Sequence, residues 1–283
     1  MRILVTGADG NVGSRLRNAL VESGHEAFGT DIGDTDITSF EAIRAKIESI
    51  QPELVVHCAA LTNVDLCAQQ PDLAFRVNAI GTQNVALSCA RTGAAMAYIS
   101  TNEVFDGQHG TPYQEYDTPN PINPYGYSKW VGEQMLREVL PRHYIVRISW
   151  LFAHGGTNFL QKIVARAAAG ESLSVVTNEV ASPTYVEDLI PALAALIQTE
   201  RYGIYHLAND GYTSRYEFAR CILDCYGYKD VPIEPIISAQ FPRPSRPPVY
   251  SGLLNVIGAH IGVRLRPWRD AVAAFAERER ARA

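Results

Sequence analysis

Apolar residues fall in short unbroken runs separated by segments of helical spacing. Arg2 to Thr6 reads as a buried strand, and Val12 to Ser23 carries Val12, Leu16, Ala19 and Leu20 three or four apart before ending at Gly24. A second strand from Glu26 to Thr30 ends at Asp31. After a polar stretch, a helix from Ser39 to Ile50 stops at Pro52, since the residue before a proline is driven out of helical backbone. Leu54 to Ala60 is a third apolar strand. A helix near Asp72 to Thr92 follows, then a strand at Ala95 to Ser100, a loop rich in Pro, Gly and Asn, a helix from Tyr125 to Leu140 and a strand at Tyr144 to Trp150. Strands alternating with helices predict an α/β fold with a doubly wound parallel sheet.

Beyond Trp150 the pattern loosens. It predicts a helix near Asn158 to Ala169, another after Ser182-Pro183-Thr184, a strand at Ile204 to Ala208 and a helix from Ser214 to Cys225. Pro232 to Pro248, with FPRPSRPP inside it, predicts an extended loop, because proline at that density resists helix and central strand alike. No low-complexity linker separates two units. Residues 1–152 are therefore expected to form a dinucleotide-binding domain of Rossmann type, and 153–283 mainly a smaller α/β substrate lobe interleaved with the last strands and helices of the first.

At 47% hydrophobic and 19% charged residues, the chain has ordinary globular composition, which leaves little room for disordered tracts. A net charge of −5 with no basic run argues against nucleic acid or an anionic membrane as partner. No apolar run is long enough to span a bilayer and no signal segment opens the chain, so a cytoplasmic protein is expected. Five scattered cysteines disfavour a disulfide framework and a zinc site. Cys221 and Cys225 share a helix face but read as buried thiols. No carboxylate cluster commits to a metal.

Gly7, Gly10 and Gly13 stand between the first strand and an amphipathic helix. The first allows a tight turn, the second lets backbone N–H groups approach a pyrophosphate, and the third lets helix pack on strand. Alone, such spacing suits bland turn packing equally well. Its place at the first strand-to-helix turn, with Asp31 closing the second strand to accept a ribose 2′-hydroxyl, makes it a dinucleotide signal. A carboxylate there repels a 2′-phosphate and favours NAD over NADP, unless Arg15 at the helix start offsets it. Asp36-Ile37 either meets the adenine or serves as helix entry and core.

Tyr125 and Lys129 lie four apart at the start of a helix, so their polar ends can converge. A phenol with a pKa near 10 transfers protons poorly at neutral pH, and an adjacent ammonium is expected to lower it. The strand ending in Ile99-Ser100-Thr101 delivers the Thr101 hydroxyl to the carboxyl end of the sheet, where it can bond an oxygen gaining charge during hydride transfer.

Together with HCAALTNVD (His57 to Asp65), STNEVFDG (Ser100 to Gly107), RISWLF (Arg147 to Phe152), SPTYVEDL (Ser182 to Leu189) and RPPVYSGL, these motifs resemble the extended short-chain dehydrogenase/reductases, and within them the dTDP-4-dehydrorhamnose reductase family, over nearly the full length. The resemblance implies reduction by NADH or NADPH of the C4 ketone of dTDP-4-dehydro-L-rhamnose to dTDP-L-rhamnose. It implies cofactor contacts at Gly10, Asn11, Val12, Asp31, Asp36, Ile37, Ala60, Leu61 and Thr62, with Gly7, Gly13 and Ala59 beside them. It places Tyr125 as proton donor, Lys129 on the cofactor ribose, and Thr101, Asn102 and Trp150 at the sugar. Trp150 read alone is a packing residue at a strand end. Arg243 or Arg246 of the proline-rich loop either pairs with the sugar diphosphate or stands solvated; Arg246 is taken as a substrate contact.

Where the family usually carries Asp then Tyr after the threonine, this chain has Asn102 and Glu103, which puts the exact sugar in question. Two rivals stay open: another nucleotide-sugar ketoreductase, epimerase or dehydratase, and a non-catalytic subunit like the beta subunit of methionine adenosyltransferase, which is similar in scaffold. A nucleotide sugar is the expected partner, to a monomer or homodimer.

Overall fold

The computed structural model describes residues 1–155 and 158–282. Strands β1 (Arg2–Thr6), β2 (Glu26–Thr30), β3 (Leu54–His57), β4 (Ala95–Thr101) and β5 (His143–Ile148) form one parallel sheet. A sixth strand, Gly203–His206, adds beside β5 to give the order Gly203–His206, β5, β4, β3, β1, β2. The order reverses direction at β1, and the crevice opens there, at the carboxyl ends of the strands.

Alternation along each strand feeds two cores. Ile3, Val5, Val56 and Val146 face helices α1 (Asn11–Glu22) and, further along the chain, Val186–Leu196. Leu4, Val55, Met96 and Ile145 face the other side, against α2 (Phe40–Ile50) and the helix pair that follows β3 and β4. Being covered on both faces, the strands read as apolar runs. The first core continues without a break into Phe218, Trp268 and Phe275, so the second half of the chain is packed onto the sheet.

Between β3 and β4 run α3 (Val64–Gln69), α4 (Pro71–Phe75), a π turn (Arg76–Ile80) and α5 (Gly81–Thr92). The expected helix at 72–92 is thus one rod widened in its middle. Helix α6 (Pro124–Val139) begins one residue before the expected Tyr125, with Asn123 Oδ1 accepting from Gly126 N at 2.8 Å and Pro124 in the first turn.

Two of the expected strands end early: β3 stops at His57 and β5 at Ile148, two residues before Trp150, which takes a left-handed φ of 35°. The proline-rich segment is only partly a loop: Ile233–Ile236 pairs in parallel with Leu173–Val176, with Pro235 opposite Val175. A two-stranded ribbon leaves one side of each strand unpaired, so a proline there forfeits no ladder bond. No described helix is long and apolar enough to cross a membrane.

Candidate active site

The glycine loop is shaped by close backbone approach. Gly7 adopts a φ of 65°, and a Cβ on Gly13 would lie 2.1 Å from the Gly7 carbonyl oxygen. Gly10 caps α1 without a side-chain bond, leaving first-turn N–H groups of that helix open to an anion. At the lip, the Asp31 carboxylate accepts from Asp9 N at 2.9 Å and Ile32 N at 2.8 Å. Every residue expected to meet the dinucleotide, from Gly7 and Asn11 through Asp36 and Ala59 to Thr62, Tyr125 and Lys129, lines one cleft of about 690 Å³. The open helix N-terminus, the ribose-side carboxylate and the cleft's size fit a nicotinamide dinucleotide. Arg15 does not offset Asp31: its guanidinium pairs with Glu187 at 3.4 Å and donates to the His154 carbonyl at 2.6 Å.

At the inner end of the cleft, β4 and α6 bring Thr101, Tyr125 and Lys129 together. The Lys129 Nζ donates to the Ile99 carbonyl at 2.8 Å and lies 4.1 Å from the centre of the Tyr98 ring. Burial holds this ammonium down to about 7, against the opposing pull of Glu133 one turn on. The expected lowering of the tyrosine pKa is not what the geometry produces. Burial pushes the Tyr125 phenol up, the Glu103 carboxylate pushes it further, and only the Thr101 hydroxyl bond pulls it back. The ammonium is spent on the strand carbonyl and the aromatic face, so Tyr125 stands protonated, ready to give a proton.

The substrate side is built from distant segments. Asn102 is buried, donating from Nδ2 to Ser251 Oγ at 2.7 Å. Trp150, half-buried after the end of β5, carries the Arg215 guanidinium 3.5 Å over its ring. Arg243 pairs with Glu179 at 2.9 Å, and Arg215 approaches the same carboxylate at 4.0 Å. Arg246 is different: its side chain is exposed and, among the described residues, makes no ion pair, while its carbonyl accepts from Asn123 Nδ2 at 3.2 Å. The proline-rich strap is thus fastened across the cleft at Ser245 (to Asp65), Arg246 and Ser251.

A family model described as the RmlD substrate binding domain matches residues 1–281. The chain belongs to this family. It is 35% identical to the spore coat polysaccharide biosynthesis protein SpsK of Bacillus subtilis, covering 97% of this chain and 96% of that protein. It is 36% identical to a dTDP-4-dehydrorhamnose reductase of Mycolicibacterium smegmatis, covering 96% and 84%. Among solved structures, a dTDP-4-dehydrorhamnose reductase of Bacillus anthracis in complex with NADP superposes with a TM-score of 0.92 at 36% identity, covering 97% and 98%. A Thermus thermophilus UDP-glucose 4-epimerase, at 22% identity and a TM-score of 0.84, shares the fold, that of the extended short-chain dehydrogenase/reductases.

In this RmlD-family chain, several residues that frame the site had no local signal. Asn78, on the π turn, grips Leu61 through both its N–H at 2.8 Å and its carbonyl at 3.0 Å, and donates to Ser128 Oγ at 3.0 Å. One amide so ties the cofactor loop to the catalytic helix, and the widened turn is what aims it. Arg215, Glu179 and Asn123 were equally silent, since a polar residue at a strand or helix end is common and only convergence marks these.

Proposed function

We propose that this chain reduces the C4 ketone of dTDP-4-dehydro-L-rhamnose to dTDP-L-rhamnose at the expense of a reduced nicotinamide dinucleotide. The observation that carries the reading is that Tyr125 and Lys129 line a cleft of dinucleotide size, with Thr101 beside the phenol, in a chain whose relatives include named reductases of this sugar. The dinucleotide, when bound, supplies the hydride. Tyr125 gives its phenolic proton to the ketone oxygen as the new C–H bond forms, and solvent restores that proton afterwards. Thr101 turns its one hydroxyl proton from Asn102 Oδ1 to the same oxygen as charge grows on it. Lys129, held on the Ile99 carbonyl, would also hold the nicotinamide ribose. Arg215 and Arg243 line the side on which a sugar diphosphate is held, and Trp150 supplies an apolar wall for the sugar.

Asp31 favours NADH, with Arg15 committed elsewhere. The direct test follows nicotinamide absorbance with NADH and NADPH offered separately and the keto-sugar made in place by upstream enzymes. Substrate-dependent oxidation yielding dTDP-L-rhamnose is the expected result, faster with NADH. Tight dinucleotide binding with no net oxidation points instead to an epimerase, a dehydratase or a regulatory subunit.

A further inference from the structure

We propose that Glu103 determines which sugar the site accepts, by taking the hydrogen bond of the hydroxyl on the ring carbon beside the ketone. This rests on the ketoreductase reading above. The two residues after Thr101 form a 3-10 turn, Asn102–Val104, whose successive side chains point in different directions. Asn102 points inward: it is 4% exposed, its Nδ2 is on Ser251, and its Oδ1 accepts from the Thr101 hydroxyl at 3.3 Å. Its amide is committed to holding the strap and the threonine. Glu103 is only partly covered, and its carboxylate lies near enough to the Tyr125 phenol to act on it. The family pattern Asp-Tyr becomes Asn-Glu here, so the acid of the pair moves from position 102 to position 103.

Its position is fixed relative to both groups that meet the ketone oxygen. Glu103 N donates to Thr101 Oγ1 at 3.2 Å. The Glu103 carbonyl packs against Gly126, next to Tyr125, so closely that a Cβ there would lie 1.9 Å from it. The Glu103 backbone is therefore fixed beside Thr101 and Tyr125, and the bond from Asn123 holds its carboxylate.

The anchored carboxylate is also short of donors. Oε2 accepts from Asn123 Nδ2 at 2.7 Å, whereas Oε1 accepts no hydrogen bond among the described residues. Of the two arginines whose charge also favours ionised Glu103, Arg243 pairs with Glu179 at 2.9 Å and Arg215 approaches it at 4.0 Å while stacked on Trp150. Half-covered and with one oxygen free of protein donors, the carboxylate is open to a ligand hydroxyl. In a 6-deoxy-4-keto sugar, one carbon beside the ketone carries a hydroxyl (C3) and the other (C5) a methyl group. The C3 hydroxyl is the partner that fits an acceptor placed next to Thr101 and Tyr125.

The test compares kcat/KM for dTDP-4-dehydro-L-rhamnose and for its analogue lacking the C3 hydroxyl, in the wild-type chain and in Glu103→Ala. A hydrogen bond to a charged group contributes enough that the wild-type chain should favour the full substrate by about 10- to 100-fold, and Glu103→Ala should reduce that preference to about threefold or less. Dinucleotide affinity should stay unchanged, and Glu103→Gln, which keeps the shape and the bond to Asn123, should show an intermediate preference; it replaces the alanine variant if that one binds dinucleotide poorly. An unaltered preference in the variants, with the wild-type chain turning over, overturns the role of Glu103 and leaves the reductase reading standing. Absence of turnover by the wild-type chain on either sugar, with either dinucleotide, overturns both.

Discussion

Tyr125 and Gly13 each predict a separable loss. Tyr125 is the protonated group beside the cleft, with burial and Glu103 both holding its proton on. Tyr125→Phe keeps the ring and removes the proton, so turnover should fall by about 100- to 10,000-fold while dinucleotide affinity, read by fluorescence titration, is retained. Gly13 acts through what it lacks. With a Cβ only 2.1 Å from the Gly7 carbonyl, Gly13→Ala must push helix and loop apart. The expected outcome is weakened dinucleotide binding by tenfold or so at least, together with a stability loss of about 1–3 kcal/mol in a urea titration. Unchanged binding would show that the loop tolerates a wider turn than this packing allows.

The element that organises the site is α6. One turn places Tyr125, the next Lys129, the next Glu133, all toward the sheet. Glu133 is wholly buried and grips Arg147 of β5 through two bonds, of 2.7 Å and 3.0 Å, while also accepting from Ser100. This pins the catalytic helix to the two strands beneath the cleft. A buried pair of this kind contributes little net stability over an apolar substitute, but breaking it on one side strands the other charge. Glu133→Gln should therefore destabilise the protein by about 3–5 kcal/mol, measured as a shift of the urea midpoint. A shift below about 1 kcal/mol would mean that Arg147 finds another partner, with the Glu115 carbonyl at 3.4 Å the nearest candidate.

Across the whole molecule, two buried histidines make stability depend on acid. His57 bridges Thr6 of β1 and Thr82 of α5, and His206 sits beside Arg147; burial first, then the neighbouring cation, brings each down to about 3 from 6.5. The unfolded chain binds these protons near pH 6.5 and the folded chain does not until about pH 3. The unfolded state then holds more protons across that window, so stability falls as pH drops through it, by roughly 1 kcal/mol per pH unit for each histidine. Urea midpoints should decline steadily from about pH 7 to about pH 5, and His57→Gln should flatten the slope; a level midpoint in the parent chain would refute the assignment. The sequence by itself determined the alternation that yields a doubly wound sheet, the glycine turn and the Tyr125–Lys129 pair, because each depends on backbone conformation or on residues within one or two helical turns. It also marked Thr101, since a strand's end fixes where its last side chain lies. Tertiary packing, by contrast, is what sets Lys129 on Ile99 rather than the phenol, pairs Arg15 with Glu187, buries Asn102 while leaving Glu103 partly open, and brings Arg215, Arg243 and Glu179 together from segments far apart in the chain. Which way a polar side chain points, and which charge it meets, is set by what packs around it, and that is fixed only when the segments come together.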